Sequence, residues 1–252
     1  MRDTTHASPG TCRRVFSSSL AVLVLLAAGL AGASATSAGG KVINVAQKPA
    51  NAAEPALPGL LLVSLTVKDQ AQFDSYAAKT RPLLATHKGA PLFRGTNPTA
   101  LFGEHTHPVL IGFRFPSKAA IKAFYSSTDY QALIPLRTAA ADVVFIAYDI
   151  DQEAPQEDMR ALLAVNIIVK DAAQFENYAK GTQPIVQAHG GNLQARAINP
   201  EVLFGHHRYK TLVLFKFPSQ ETIRAFYNSE AYQKLIPTRT AGADVIFTGY
   251  DL

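Results

Sequence analysis

Residues 162–252 repeat residues 60–150 at a constant offset of 102, without a gap. FPSKAAIKAFYSSTDYQALIPLRTAAADVVFIAYDI at 115–150 returns as FPSQETIRAFYNSEAYQKLIPTRTAGADVIFTGYDL at 217–252. The two stretches agree at 46 of 91 positions. A chain built this way folds as two copies of one small domain, because the same spacing of apolar and turn residues is written twice. The copies occupy 60–150 and 162–252. The acidic, proline-bearing run at 151–161 reads as the linker between them.

Each copy opens on a continuously apolar run, LLLVSLTV at 60–67 or LLAVNIIV at 162–169, which predicts a strand. Asp69 and Asp171 then offer N-caps. Phe73, Tyr76, Ala77, Thr80 and Leu84 follow at helical spacing, as do Phe175, Tyr178, Ala179, Thr182 and Val186. Pro82 and Pro184 should kink this helix, and Gly89 and Gly191 should close it in the left-handed conformation. Two short segments around Arg94 and Leu101 follow, with Asn97-Pro98 as a turn between them. VLIGFRF (109–115), a helix carrying Ile121, Phe124 and Tyr125, a turn with Tyr130 and Leu133, and DVVFIAYDI (142–150) complete the copy.

The order strand, helix, strand, strand, helix, strand is the split βαβ, ferredoxin-like unit, with both helices on one face of its sheet. Its strands are apolar on both sides, so the other face must also be buried. The nearest cover is the same face of the other copy. The expected fold is α+β: two ferredoxin-like βαββαβ repeats stacked sheet to sheet as an internal barrel, monomeric and with an internal pseudo-two-fold.

Residues 1–35 carry the marks of an export signal: Arg13-Arg14, the apolar run LAVLVLLAAGLAGA at 20–33, and the small-residue site Ala33-Ser34-Ala35. RRVF at 13–16 resembles a twin-arginine signal; ordinary secretion fits as well. The run is too short for a good anchor, so no stable membrane insertion is expected after cleavage, and the expected location is periplasmic or secreted. Residues 36–59, rich in Ala, Gly and Pro, read as a flexible leader. Cys12 is the only cysteine and leaves with the signal, which excludes disulfides and cysteine-ligated metal. Cleavage removes three arginines and one aspartate and lowers the formal charge from +5 to +3. With scattered lysines and arginines, that excludes nucleic acid as a partner.

The pattern FPSxxxxxAFYxSxxYQxLIPxRTAxAD, preceded by a Phe-x-x-Tyr helix with a central proline and by an arginine after a glycine, resembles the domain of unknown function family 1330 of the dimeric α/β-barrel superfamily. The resemblance covers nearly all of both copies. It implies that the usual two-chain barrel is built here within one chain. Relatives on the same barrel include cofactor-free monooxygenases, small-lactone isomerases and haem-binding proteins, and fold does not choose among them. Members of the family often carry Glu-Gly where this chain has Phe102-Gly103 and Phe204-Gly205.

No triad, phosphate loop or nucleotide fingerprint stands out. The ligand-binding candidates are Arg94, Arg196, His87, His189, Tyr76 and Tyr178. His87 and His189 end the first helix, where a cap on the helix dipole competes with a base or ligand group at the barrel mouth. Arg94 and Arg196 have no acid nearby in sequence and could clamp a carboxylate, better beside Gly95 than beside Ala197. Tyr76 and Tyr178 lie on an apolar helix face. Arg137 and Arg239 precede Asp142 and Asp244 by five residues, the spacing of a local salt bridge.

The hairpins GEHTHP (103–108) and GHHRYK (205–210) gather His105, His107, His206 and His207, but on an exposed turn; no metal is expected. No histidine lies in an apolar run, so no haem or other cofactor is expected either. The reading is an exported module that binds a small organic ligand, apolar or aromatic and acid-like. A cofactor-free monooxygenase- or isomerase-like enzyme and a structural module without a ligand are the alternatives. The number of polar groups inside the barrel decides between them.

Overall fold

The computed structural model describes residues 56–155 and 159–252. The signal-like segment and most of the leader lie outside the described residues. The first copy comprises β1 (Gly59–Val67), α1 (Gln70–Thr86), β2 (Ala90–Phe102), β3 (Val109–Phe115), α2 (Lys118–Ser126), α3 (Thr128–Gln131), α4 (Ile134–Ala140) and β4 (Ala141–Glu153). The second comprises β5 (Ala161–Val169), α5 (Ala172–Ala188), β6 (Asn192–Phe204), β7 (Thr211–Phe217), α6 (Gln220–Asn228), α7 (Glu230–Gln233), α8 (Ile236–Gly242) and β8 (Ala243–Asp251). Among the described residues no helix is long and apolar enough to cross a membrane.

The helices start where the caps are. Asp69 and Asp171 accept from the backbone of Gln72 and Gln174, each at 3.0 Å. Ser117 and Ser219 do the same for α2 and α6, at 3.2 Å. The helices α1 and α5 run on past Pro82 and Pro184 to Thr86 and Ala188. Their ends correct one expectation. The positive φ values fall on Lys88 (59°) and Gly190 (74°), one residue before Gly89 and Gly191. Those two glycines serve a close approach instead: a Cβ on either would lie 2.5 Å from the ring of Phe115 or Phe217.

Eight antiparallel strands form one closed barrel in the order β1-β3-β2-β8-β5-β7-β6-β4, with β4 returning to β1. The α+β architecture of two ferredoxin-like repeats is thus present, but the copies join by hydrogen-bonded edges rather than by stacking two sheets. The joint lies at Asn97-Pro98 and Asn199-Pro200. Instead of a turn between two segments, each is an irregularity inside one long strand. Asn97 and Asn199 sit at φ 50° and 52°, a conformation asparagine tolerates better than most residues. Up to Gly95, β2 pairs with β3 of its own copy; from Thr96 on, it pairs with β8 of the other. β6 pairs with β7 of its own copy up to Ile198 and with β4 of the other from Ala195 to Phe204, so there the two ladders overlap before the bend. The bend removes both exposed sheet edges.

Closure also explains the two-sided apolar strands. Leu60, Leu62, Ile146, Tyr148, Leu162 and Tyr250 point into one interior core. Leu61, Val63 and Leu65 point outward to a layer under α1, α2 and α3, and Leu163, Val165 and Ile167 do so under α5, α6 and α7. Residues 151–153 continue β4 and pair with β6 rather than starting the linker.

Candidate functional site

The loops 103–108 and 205–210 fold over one mouth of the barrel and bound a cavity of about 530 Å³. Its floor is apolar, from Leu62, Leu110, Ile146, Ala164 and Leu212. Its polar groups come as crossed pairs. His105 of the first copy reaches Tyr250 of the second, Nε2 to Oη 3.1 Å. His207 of the second reaches Tyr148 of the first, Nε2 to Oη 2.8 Å. Each ring meets its tyrosine edge-on, at 85° and 83°. The two histidines and the two tyrosines are themselves related by the offset of 102, so barrel closure builds the same pair twice.

The electrostatics keep these groups neutral. Burial pushes the Tyr148 and Tyr250 hydroxyls well above the usual phenol range. Burial pulls His207 down to about 4 and lowers His105 and His107 as well. His105 Nε2 also bonds the His107 carbonyl. His107 Nδ1 lies 3.1 Å from Thr66 Oγ1. Two further oxygens on the cavity wall, Asn166 Oδ1 and Thr248 Oγ1, are buried and without a hydrogen-bond partner. Arg208 stands exposed at the rim beside the Tyr209 hydroxyl, at 3.1 Å. Among the described residues no three metal-ligating side chains converge.

The six residues singled out from the sequence do not meet in this cavity. His87 and His189 cap α1 and α5, with their rings edge-on to Phe124 and Phe226. His189 Nδ1 also bonds the Ile185 carbonyl at 2.8 Å. Arg94 is exposed on β2. Arg196 lies between the inward-facing Ala195 and Ala197 and grips Asp151 with Nε, 3.0 Å from both carboxylate oxygens. Its acid is 45 residues upstream, where sequence proximity could not show it. The space at Gly95 is filled by Tyr250, whose Cβ would stand 2.8 Å from a Cβ added there.

Tyr76 and Tyr178 lie under the helices in a second polar cluster. Their hydroxyls bond those of Tyr130 and Tyr232 at 2.9 Å, and these accept from Arg137 and Arg239 at 3.1 Å. Arg137 and Arg239 are 0 % and 1 % exposed, which overturns the expected salt bridges to Asp142 and Asp244. Lys68 and Lys170 take those acids instead, each at 3.0 Å. Burial by itself pulls both guanidinium groups down, and the phenolic oxygens beside them outweigh it, so they stay charged.

Sequence reasoning therefore missed His105, His207, Tyr148, Tyr250, Asn166 and Thr248 as one site. The available signal was the offset: His105 and His207 are kept within loops that otherwise keep only a glycine.

A comparison with curated protein sequences found no match. Among solved structures, the chain is similar to a candidate chlorite dismutase at 9% identity and a TM-score of 0.52, over 78% of this chain and 95% of that one. It is also similar to a candidate monooxygenase from Lactobacillus acidophilus NCFM (14%, TM-score 0.44, 76% and 93% covered) and to a haem-binding protein from Thermus thermophilus (8%, TM-score 0.41, 78% and 91% covered). Identity this low speaks for the fold and not for chemistry. The model of the domain of unknown function DUF1330 matches residues 58–149 and again 160–249, and the chain belongs to that family as a tandem pair.

Proposed function

We propose that this chain is an exported small-molecule binding module whose ligand enters the loop-covered mouth of the barrel. One observation carries the reading. A cavity of about 530 Å³ holds two neutral imidazole–phenol pairs and two buried oxygens without partners. That is the size and polarity of a small-ligand site: mostly apolar, with a few convergent polar groups. Native proteins leave few buried oxygens unsatisfied, and a ligand hydroxyl or amide would satisfy Asn166 and Thr248. Among the described residues that line this cavity the one arginine or lysine, Arg208, stands exposed at the rim, so of the acid-like aromatic ligands read from the sequence the cavity favours weak, un-ionised ones such as phenols, and lactones beside them. The signal-like segment at 1–35 supports export to the periplasm or medium. A single chain closes the barrel and is monomeric on this reading.

The test is a thermal-shift screen of phenols, lactones, aromatic acids, metals and haemin, since a bound ligand raises stability by mass action. A phenol or lactone should raise the melting temperature. Thr248→Ile, which installs the first copy's residue at this position, should weaken that ligand about tenfold, the equivalent of one hydrogen bond. No shift from any phenol or lactone at millimolar concentration would sink the proposal, as would an unchanged affinity in Thr248→Ile.

The neutral, tyrosine-held imidazoles favour one second reading, proton abstraction from the bound molecule. In that case His105→Gln and His207→Gln would abolish turnover of the ligand while leaving its binding in place.

A further inference from the structure

We propose that Arg239, beneath the ring of Phe102, is a binding site for a small monocarboxylate with an apolar body, and that Arg137 beneath Phe204 is its twin. This site is separate from the barrel interior and does not depend on the reading given for it. Arg239 is 1 % exposed and always charged. Its Nη1 donates to Tyr232 and the Tyr227 hydroxyl stands nearby, while Nε and Nη2 are buried and meet no acceptor at hydrogen-bond geometry among the described residues; Arg137, with Tyr130 and Tyr125, is the same. The two free nitrogens form the side-on fork of the guanidinium, the edge that matches a carboxylate with two parallel bonds. Arg196 shows that fork in use in the same molecule, with Nε and Nη2 both on Asp151.

No acid of the described residues occupies the fork of Arg239. Asp244, the nearest in sequence, is paired with Lys170 at 3.0 Å. What covers the guanidinium is an aromatic ring from the other copy: Phe102 lies 4.3 Å from it, as Phe204 does from Arg137. Phe102 is 43 % exposed and Phe204 39 %. A large apolar ring left half in water over a buried cation is a cover able to turn aside. Beside Arg239 lies a cavity of about 570 Å³ lined by Phe102, Tyr209, Ala243, Val245 and Ile246, which suits an apolar body. Glu104, Asp244 and Arg208 also line it, so beyond the fork the wall carries no net positive charge to hold a second anionic group. The ligand that fits both the fork and the walls is a monoanion with its charge at one end, an aromatic or short aliphatic carboxylate.

The experiment is calorimetric titration of the full chain with benzoate and phenylacetate, with benzamide and inorganic phosphate as controls. Two carboxylates should bind per chain, and at the sites that Phe102→Glu and Phe204→Glu remove, benzamide and phosphate should bind at least about tenfold more weakly, as loss of a charge-assisted pair implies. Phe102→Glu places a carboxylate over Arg239 and should leave one site. Phe102→Glu with Phe204→Glu should leave none. Should the glutamate variants fail to fold, Phe102→Ala removes the cover and should tighten one site severalfold. Absence of carboxylate binding, benzamide binding as tight as benzoate at the sites that the glutamate variants remove, two sites persisting in folded Phe102→Glu, or no tightening in Phe102→Ala would each overturn the proposal.

Discussion

The two copies keep their polar clusters and exchange their packing. Tyr76, Tyr130, Arg137, His105 and Tyr148 all have identical counterparts at the offset of 102. Within the interior, however, Phe93 faces Gly112 across β2 and β3, whereas Ala195 faces Leu214 across β6 and β7. A large side chain beside a glycine has become a small one beside a leucine. The volume is held while its owner changes, as close-packed interiors require. Polar groups inside the barrel follow no such compensation. Ser64 and Ile146 in the first copy stand where Asn166 and Thr248 stand in the second. Both oxygens left without partners in the cavity therefore come from one side, and a ligand there meets an asymmetric wall inside a nearly symmetric frame.

The sharpest way to break this comparison is to move one half of a compensated pair. Gly112→Leu brings the second copy's residue into the first without its partner. A Cβ at position 112 would stand 2.3 Å from the Phe93 ring, so the ring must leave its place. The expected loss in urea unfolding is about 3 kcal/mol. Adding Phe93→Ala should recover more than half of it, a coupling of about 1–3 kcal/mol. A double variant no better than the single would show that the two positions are not one packing unit.

Pairs of this kind show what the sequence made legible. Two-sided apolar strands announced burial on both faces, and Asp69 and Asp171 marked helix starts, because these signals are local. The barrel's closure was not legible at Asn97-Pro98. A left-handed asparagine followed by proline gives the same signal in a turn and in a strand that changes partners. The His105–Tyr250 contact spans 145 residues, and no periodicity or spacing reports it. The five-residue gap from Arg137 to Asp142 misled for the opposite reason. Short spacing suggests an ion pair, yet the arginine's guanidinium lies under the Phe204 ring while a surface lysine reaches the acid.

The next contrast is between the two arginines that occupy equivalent strand positions. Arg196 holds Asp151 with side chains 22 % and 16 % exposed, whereas Arg94 makes no ion pair among the described residues. Arg196→Ala strands a half-buried carboxylate and should cost about 1–2 kcal/mol. Arg94→Ala should stay within about 0.5 kcal/mol. Equal losses in the two variants would mean that Asp151 adds nothing to the seam between β4 and β6.

Acid stability probes the mouth. His207 is pushed down to about 4 in the folded chain from an ordinary 6.5. Between those values the unfolded chain takes up the proton and the folded chain resists it. The contribution is thus fully present above pH 6.5 and is lost as pH falls toward 4. With the mouth partly open to solvent, the effect should be about 1–2 kcal/mol. Relative to the parent chain, His207→Gln should flatten the stability profile over that window. An identical slope in the variant would place the acid sensitivity elsewhere.

The smallest effect serves as the symmetric control. Lys68 and Lys170 each span to an aspartate at 3.0 Å and to the carbonyl of Thr138 or Thr240, at 2.6 and 2.7 Å. Their side chains are 41 % and 42 % exposed, so water competes for both contacts and salt screens the ionic one. Lys68→Ala and Lys170→Ala should each cost about 0.5 kcal/mol or less, with the cost shrinking at a salt concentration of about 1 M. Because residues, distances and lysine exposure match in the two copies, the two losses should also match within error. A clear inequality would mean that the copies differ in local stability even where their structure is the same. The larger differences at Gly112 and Arg196 would then have to be measured against that background rather than assigned to the substituted groups.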